Sequence, residues 1–399
     1  MRSASGSGIR LGIVVRTVVH CIDTTEFGGA ERAAALLLRN LDRSQWRCIL
    51  LHHDARGLAP LLRDLDEHGI ERVVMPTLRG VAGSSAMPSF LRILSRLEPD
   101  VFHAHLNWPL ACTLPLLGAA LRRIPARVAT VHLFEMPRVA TSLRLQQSVV
   151  TRTVHRYVAV SSDVARRVHE EMGVPRDSIL VVPNGVSTST TPAAVDIEGV
   201  RQAYGIPAGA FVVLALARLT EQKGLKYLID AAVHVPNAVF LVAGDGPCRQ
   251  NLEEQVRNSK LEGRVILTGF VEDTDSLLAA CNLFVLPSLY EGMPLSILEA
   301  MSQACPVVAS DIPGVRDVIV HGETGLLVPA GDAVSLAGAI SELVRNPDGA
   351  VRMGVAGAAR VRLNFSTTSN VSAIESLYSR LLGGDSRQQS LAHHAGNRT

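Results

Sequence analysis

The chain has 399 residues, 47% of them apolar and 19% charged, which excludes a disordered or fibrous protein and exceeds one ordinary domain. Its net charge is only +2, but residues 1–190 hold 23 Arg, no Lys and 16 acidic residues, whereas the remainder holds 16 basic and 21 acidic ones. That excess permits a phosphorylated ligand or an anionic lipid, yet lies far below the charge density of a dedicated nucleic-acid binder.

Short β-branched runs alternate with amphipathic stretches along the first half. Strands are predicted at Leu11–His20, Trp46–His53, Arg72–Met75, Val101–His105, Arg127–Leu133, Tyr157–Ser161 and Ile179–Pro183. Helices fall between them, as at Ala30–Leu41, Leu58–His68, Phe90–Leu97 and Asp163–Met172. The strand runs are continuously apolar, as in parallel strands covered on both faces. Turn formers and hydroxyl residues then place a linker near 184–195. The pattern restarts with strands Phe211–Ala217, Val239–Ala243, Arg264–Thr268, Leu283–Leu286 and Pro306–Ala309, and helices near Leu225–Val235, Cys248–Ser259, Ser276–Cys281 and Leu295–Ala304. The expectation is an α/β chain of two doubly wound, Rossmann-like domains, 1–186 and 187–364, facing a cleft. A helix at 365–384 is expected to pack back toward the first domain, and the polar tail 385–399 to be disordered.

Six scattered cysteines without a Cys-x-x-Cys pair argue against a zinc site or disulfide scaffold and suit a reducing cytoplasm. No signal peptide is expected, because the run Leu11–Val19 is interrupted by Arg16. The apolar stretch Trp108–Leu121 has fourteen residues and two prolines, short of the roughly 20 that a membrane span needs.

Four loops of the second half carry the chemistry. Arg218 ends a strand and Lys223 precedes a helix, where two cations at a sheet's carboxyl edge can neutralise a diphosphate. Gly244 and Gly246 sit in Gly-Asp-Gly-Pro, where backbone can approach a ligand. Phe270 follows the next strand and can border a nucleobase. Glu291 lies in a Gly/Pro loop and Glu299 in the first two turns of the helix after it, beside an anion-binding helix N-terminus and in reach of sugar and ribose hydroxyls. Alone, Glu291 and Glu299 read equally well as ordinary charge placement, and Arg218 and Lys223 read better as solvated surface cations; four such loops on one sheet edge point to a ligand.

These motifs, with Val-x-Ala-Ser-Asp-Ile-Pro-Gly at 308–314 and His-Gly-Glu-Thr-Gly-Leu-Leu-Val at 321–328, resemble the nucleotide-sugar domain of the retaining glycosyltransferases of family four, which have the GT-B fold. The first half resembles the family more loosely, through Gly28-Gly-Ala-Glu31, His103-Ala-His105 and Thr130-Val-His132, a start common in members that build bacterial surface polysaccharides. The resemblance implies that Arg218 and Lys223 hold the diphosphate, Glu299 the ribose and Glu291 the sugar hydroxyls. It also implies that His132 contacts the donor sugar, while Gly28 and Gly29 open a helix whose N–H groups meet phosphate or acceptor. For His103 and His105 the plain expectation is alternation along a strand, one buried and one not.

Two positions depart from the family. Pro294 replaces a glycine and lacks an N–H, which leaves the N–H groups of Met293 and Leu295 as sugar contacts, and Ser187 stands where an aspartate is frequent. Asp273-Thr-Asp275 spells a metal-binding Asp-x-Asp, but it precedes a helix and reads more simply as a cap. No metal and no cofactor are expected. The stretch Arg138–Arg156 reads as a helix on an anionic membrane or as a solvated helix covering the sheet.

The reading is a metal-independent hexosyltransferase, moving a sugar from a nucleoside-diphosphate sugar, uridine favoured over guanosine, to a hydroxyl of a glycan or lipid-linked acceptor with retention. Its expected location is the cytoplasm, at the inner membrane face if the 138–156 helix lies there. The alternatives on the same scaffold are a non-catalytic nucleotide-sugar-binding protein and a sugar-nucleotide epimerase. A nicotinamide oxidoreductase is disfavoured, because no Gly-x-Gly-x-x-Gly is present.

Overall fold

The structure, a computed structural model, describes residues 15–78, 83–135, 148–188 and 195–383. The tail 385–399, most of the 138–156 stretch and part of the 184–195 linker lie outside the described residues.

Seven parallel strands form the first sheet: β1 (Arg16–Ile22), β2 (Trp46–His52), β3 (Glu71–Val74), β4 (Val101–Leu106), β5 (Ala126–Val131), β6 (Arg156–Ala159) and β7 (Ile179–Val181). Their order is β3-β2-β1-β4-β5-β6-β7. Six form the second: β8 (Phe211–Leu216), β9 (Ala238–Ala243), β10 (Val265–Gly269), β11 (Leu283–Leu286), β12 (Val307–Ser310) and β13 (Leu326–Val328), ordered β10-β9-β8-β11-β12-β13. Both sheets are all-parallel and reverse strand order once, β1 to β4 and β8 to β11, where an open α/β sheet leaves a crevice at its strands' carboxyl ends. Two such sheets facing each other make the GT-B fold.

The central strands are buried on both faces. All six residues of β4 are buried, His103 and His105 included, at 0% and 4% exposure. The expectation of one buried and one exposed histidine is therefore wrong. Alternation holds for a sheet with one wet face, whereas helices cover both faces of this one.

Chain-order periodicity missed several elements. The Trp108–Leu121 stretch contains a helix, Thr113–Leu121, whose Pro115 sits in the first turn, where its missing N–H costs nothing. β13 is three residues long, too short to show a period. Helices Ala333–Arg345 and Pro347–Asn364 complete the second domain.

The chain crosses between the sheets twice, side by side. The Val186 N–H donates to Phe365 O (2.9 Å), and the Thr367 N–H donates to Val186 O (3.0 Å). The last helix, Thr367–Leu381, then packs on the first sheet's helical layer, where its buried Tyr378 meets Trp46 edge-on at 5.3 Å between ring centres. Among the described residues no helix is long and apolar enough to cross a membrane.

Candidate active site

Charge dominates the cleft side built by the second domain. After β8 the chain bends through Arg218 to a one-turn helix, Glu221–Lys223, ended by Gly224 at φ 61°. A Cβ on Gly224 would lie 2.1 Å from Pro287 O, so only glycine brings this turn against the loop after β11. That approach joins Lys223 to Glu291: Nζ lies 2.5 Å from Oε1, and the fully buried Ser288 hydroxyl donates to the same oxygen at 2.7 Å. Glu291 is thus held by two contacts at one carboxylate oxygen.

Glu299, on the helix Leu295–Ser302, is nearly buried, and burial raises its carboxyl pKa; the Arg32 guanidinium, 3.0 Å away on the opposite domain, partly offsets that shift. Arg218 pairs with Glu26 of the first domain, and Arg63 with Glu272. The site's charges are therefore neutralised across the cleft by side chains. Pro294 is the N-cap of the Leu295–Ser302 helix rather than its first residue. Asn184 donates to Met293 O at 3.0 Å and fixes the loop before it.

The glycines of Gly-Asp-Gly-Pro serve the chain itself. Gly244 (φ 144°) and Gly246 (φ 159°) would place a Cβ 1.9 Å from Ala217 O and 2.6 Å from Leu219 O. They pack the β9 loop against the one that carries Arg218. Phe270 is 54% exposed at the end of the next strand. Asp273 caps its helix, accepting from Ser276 N at 3.0 Å, and Asp275 accepts from Gln303. Both carboxylates of the Asp-x-Asp are thus used locally.

Neutral groups dominate the first domain's side. Gly28 precedes the helix Gly29–Asn40, and a Cβ on Gly29 would meet nothing within 4 Å. Glu31 folds back so that the N–H groups of Gly28 and Glu31 donate to its carboxylate. Burial pushes its pKa up to about 7, against the pull of those donors and of Arg218. His132 follows β5, and the domains touch at its carbonyl: a Cβ on Gly292 would lie 1.8 Å from His132 O. The tight turn beside Glu291 is thus seated on His132. Burial lowers the His132 pKa to about 4, so the ring is neutral at physiological pH.

The structure gathers His132, Gly28, Gly29, Arg218, Lys223, Glu291, Met293 and Glu299 around one cleft. Sequence reasoning gave no role to Glu26, Arg32 or Ser288. Glu31 lay inside a quoted motif, and its spacing of three from a helix-opening glycine was the available signal for its reach back to that glycine.

Two facing parallel sheets with cations, carboxylates and a helix N-terminus between them have the GT-B architecture. Residues 27–190 match the model described as Glycosyltransferase Family 4, and residues 196–360 match Glycosyl transferases group 1. The lipopolysaccharide core biosynthesis glycosyltransferase LpsD of Rhizobium meliloti is 30% identical over 291 residues, 72% of this chain and 78% of that protein. The UDP-Gal:alpha-D-GlcNAc-diphosphoundecaprenol alpha-1,3-galactosyltransferase of Escherichia coli is 28% identical over 88% of this chain and 93% of its own. The structure of Anabaena HepE in complex with UDP-glucose superposes with a TM-score of 0.79 at 23% identity, covering 91% of this chain and 99% of that one. The chain belongs to the family-four glycosyltransferases.

Proposed function

We propose that the protein transfers a hexosyl group, with retention of configuration, from a uridine-diphosphate sugar to a hydroxyl of a glycan or lipid-linked acceptor in bacterial surface polysaccharide or glycolipid biosynthesis. The observation that carries this reading is the convergence of Lys223, Glu291 and Ser288 within 2.7 Å contacts, next to the Gly292 turn seated on His132, with Arg218 paired across the cleft to Glu26. Arg218 and Lys223 would take the diphosphate, Glu299 the ribose, and Glu291 with the Met293 and Leu295 N–H groups the sugar. Phe270 and the Gly244–Gly246 loop would border the base, and Gly28 and Gly29 the phosphate. The donor favoured is supported by the E. coli relative, whose name specifies UDP-Gal, and by the HepE complexes with UDP and UDP-glucose. The acceptor class is supported by that relative's diphosphoundecaprenol substrate and by LpsD's lipopolysaccharide core.

Retention follows if the acceptor attacks on the face from which the diphosphate departs. The C1–phosphate oxygen bond breaks, the acceptor oxygen bonds to C1, and its proton passes to the leaving phosphate. Glu291 is engaged with Lys223 and Ser288, so it suits holding hydroxyls better than forming a covalent intermediate. The protein then contributes positioning and electrostatic stabilisation, with Lys and Arg balancing the leaving group in place of a metal ion. Work at the cytoplasmic membrane face is the setting that a lipid-linked acceptor would require.

The test is purified protein with a panel of nucleotide sugars, read by thermal stabilisation and then by transfer in excess EDTA. A donor at 100 times its dissociation constant adds roughly 2.7 kcal/mol. Transfer from a UDP-sugar that survives EDTA and yields the donor's anomer supports the reading. Metal-dependent transfer, an inverted product, or hydride exchange overturns it.

A further inference from the structure

Three imidazoles, a phenol and a hydroxyl lie buried in line behind His132. His132 Nε2 is 3.0 Å from His105 Nδ1, and His105 Nε2 is 2.9 Å from His20 Nδ1. His20 Nε2 is 3.4 Å from the Tyr378 hydroxyl, which is 2.5 Å from His103 Nδ1. His103 Nε2 is 2.6 Å from Thr130 Oγ1. The rings are stacked, His132 on His105 at 5.3 Å and His105 on His20 at 5.2 Å. They come from β1, β4 and the end of β5, which are hydrogen-bonded neighbours with His20 paired to His103 and His105 to Thr130. Tyr378 arrives from the C-terminal helix.

The spacing of His20, His103 and His105 also suits a metal ion. Every nitrogen of those three rings already has a hydrogen-bond partner, however, and the residues are at most 4% exposed. The donor set is spent on itself, so the cluster is better described by its protons.

Burial holds all four rings neutral, with His20 lowered to about 3 and His103 and His105 well below the ordinary value. A neutral imidazole carries one proton, so each ring donates from one nitrogen and accepts at the other. Five contacts in series then leave three arrangements in which every contact is a hydrogen bond, because the phenol oxygen can also accept from both sides. In one, Thr130 donates to His103, His103 to Tyr378, Tyr378 to His20, His20 to His105 and His105 to His132, leaving the His132 proton on Nδ1. In the second every direction is reversed, and in the third His103 and His20 both donate to Tyr378; these leave the Thr130 or the Tyr378 hydroxyl hydrogen without an acceptor among the described residues, and the His132 Nδ1 lone pair unpaired as well. The first leaves one buried group unpaired, His132 Nδ1–H, and each of the others leaves two; an unpaired buried polar group costs about 1–3 kcal/mol, which selects the first arrangement. The line then has one open end, His132 Nδ1, a buried atom without a protein partner.

We propose that the Thr130–His103–Tyr378–His20–His105 line sets the tautomer of His132, presenting Nδ1–H as a hydrogen-bond donor to an oxygen of the bound donor substrate, and that Tyr378 is its key positioning residue. The inference rests on His132 serving the donor pocket. It gives the C-terminal helix a part in a site whose proposed diphosphate and ribose contacts lie on the other domain. The line also explains how a neutral ring in a water-poor site keeps one orientation, because turning it would break the bond to His105.

The test is nitrogen-15 NMR of histidine-labelled full-length protein, with His132 assigned by difference from His132→Gln. The expected wild-type spectrum shows His132 as the single Nδ1–H tautomer. Tyr378→Phe keeps the ring and removes the hydroxyl, and Thr130→Val cuts the far end with little change in shape. Each should give mixed tautomers at His132, and Tyr378→Phe should lower kcat roughly tenfold, the scale of losing a partner that orients a functional imidazole. In a His132→Phe background Tyr378→Phe should lower kcat no further. An Nε2–H tautomer in the wild type, a His132 tautomer unmoved in both variants, or losses that multiply in the double variant overturn the proposal. The NMR arm needs no substrate, so a wild type inactive with every sugar donor would sink the proposed reaction while the tautomer is still read.

Discussion

The two faces of the cleft solve opposite electrostatic problems. On the second domain the working groups are ions in pairs: Lys223 against Glu291, with Arg218 and Glu299 reaching partners across the gap. On the first they are uncharged or close to it, a neutral His132 and a Glu31 whose pKa lies near 7. The difference follows from pairing. In the loops past the strand ends Lys223, Glu291 and Glu299 are largely buried but each meets an opposite charge, whereas His20, His103 and His105 lie within the first sheet, where a charge without a partner is too costly and orientation by hydrogen bonds is what remains. One face supplies charge to a leaving group, and the other supplies a fixed shape and a directed donor.

Removing the charge should hurt most. Lys223→Ala deletes the ammonium beside the proposed diphosphate and leaves Glu291 buried without its cation. Turnover is expected to fall on the order of a hundredfold or more, the loss typical of a preorganised electrostatic donor. Initial rates at saturating donor measure it, and a rate within threefold of wild type would show that the second domain's charge is not what drives transfer.

These two faces were not equally legible in the sequence. Arg218, Lys223, Glu291 and Glu299 stand in loops next to turn formers, so short motifs locate them and strand–loop–helix order places them on one edge. The GT-B fold was legible for the same reason, since continuous β-branched runs between amphipathic helices persist through both halves. The histidine line was not. It depends on the β1–β4–β5 register and on a helix some 275 residues from His103, and neither leaves a local pattern. His103 and His105 were even expected to face opposite environments. Gly292 was hidden too, because its need for no side chain arises from a contact with the other domain.

That contact offers the next test, because it is where the two faces meet. Gly292→Ala puts a methyl group where His132 O already lies, at 1.8 Å, and backbone on both sides cannot yield cheaply. The domains are then held apart at the donor sugar. A displacement of about 1 Å costs on the order of a hundredfold in kcat. Full activity would mean that the His132 seat is not part of the working state.

Glu31 tests whether the first face is neutral by design. Its folded pKa is near 7 against an ordinary value of 4.5, so between those values the folded state binds more protons than the unfolded one. Stability contributed by this group is therefore present at low pH and lost as pH rises through that window, by about 2 kcal/mol from pH 5 to pH 7. Glu31→Gln stays uncharged and still accepts hydrogen bonds. Its stability relative to wild type, by urea unfolding at several pH values, should rise over the same interval. A difference independent of pH would show that the carboxyl is ionised throughout and that the contrast between the faces is weaker than drawn here.

The smallest effect concerns the pair that crosses between the two faces. Glu26 brings a carboxylate to Arg218, the cation that the proposed diphosphate needs, and both side chains are about half exposed. A donor must displace that carboxylate or bind beside it, and in either case the carboxylate opposes a dianion. Solvent screens an exposed pair to about 0.2–1 kcal/mol, so Glu26→Gln should tighten donor binding by only about two- to fivefold. The gain should shrink with added salt, as calorimetry at two ionic strengths would read. Weaker binding in Glu26→Gln would instead make Glu26 part of the donor site.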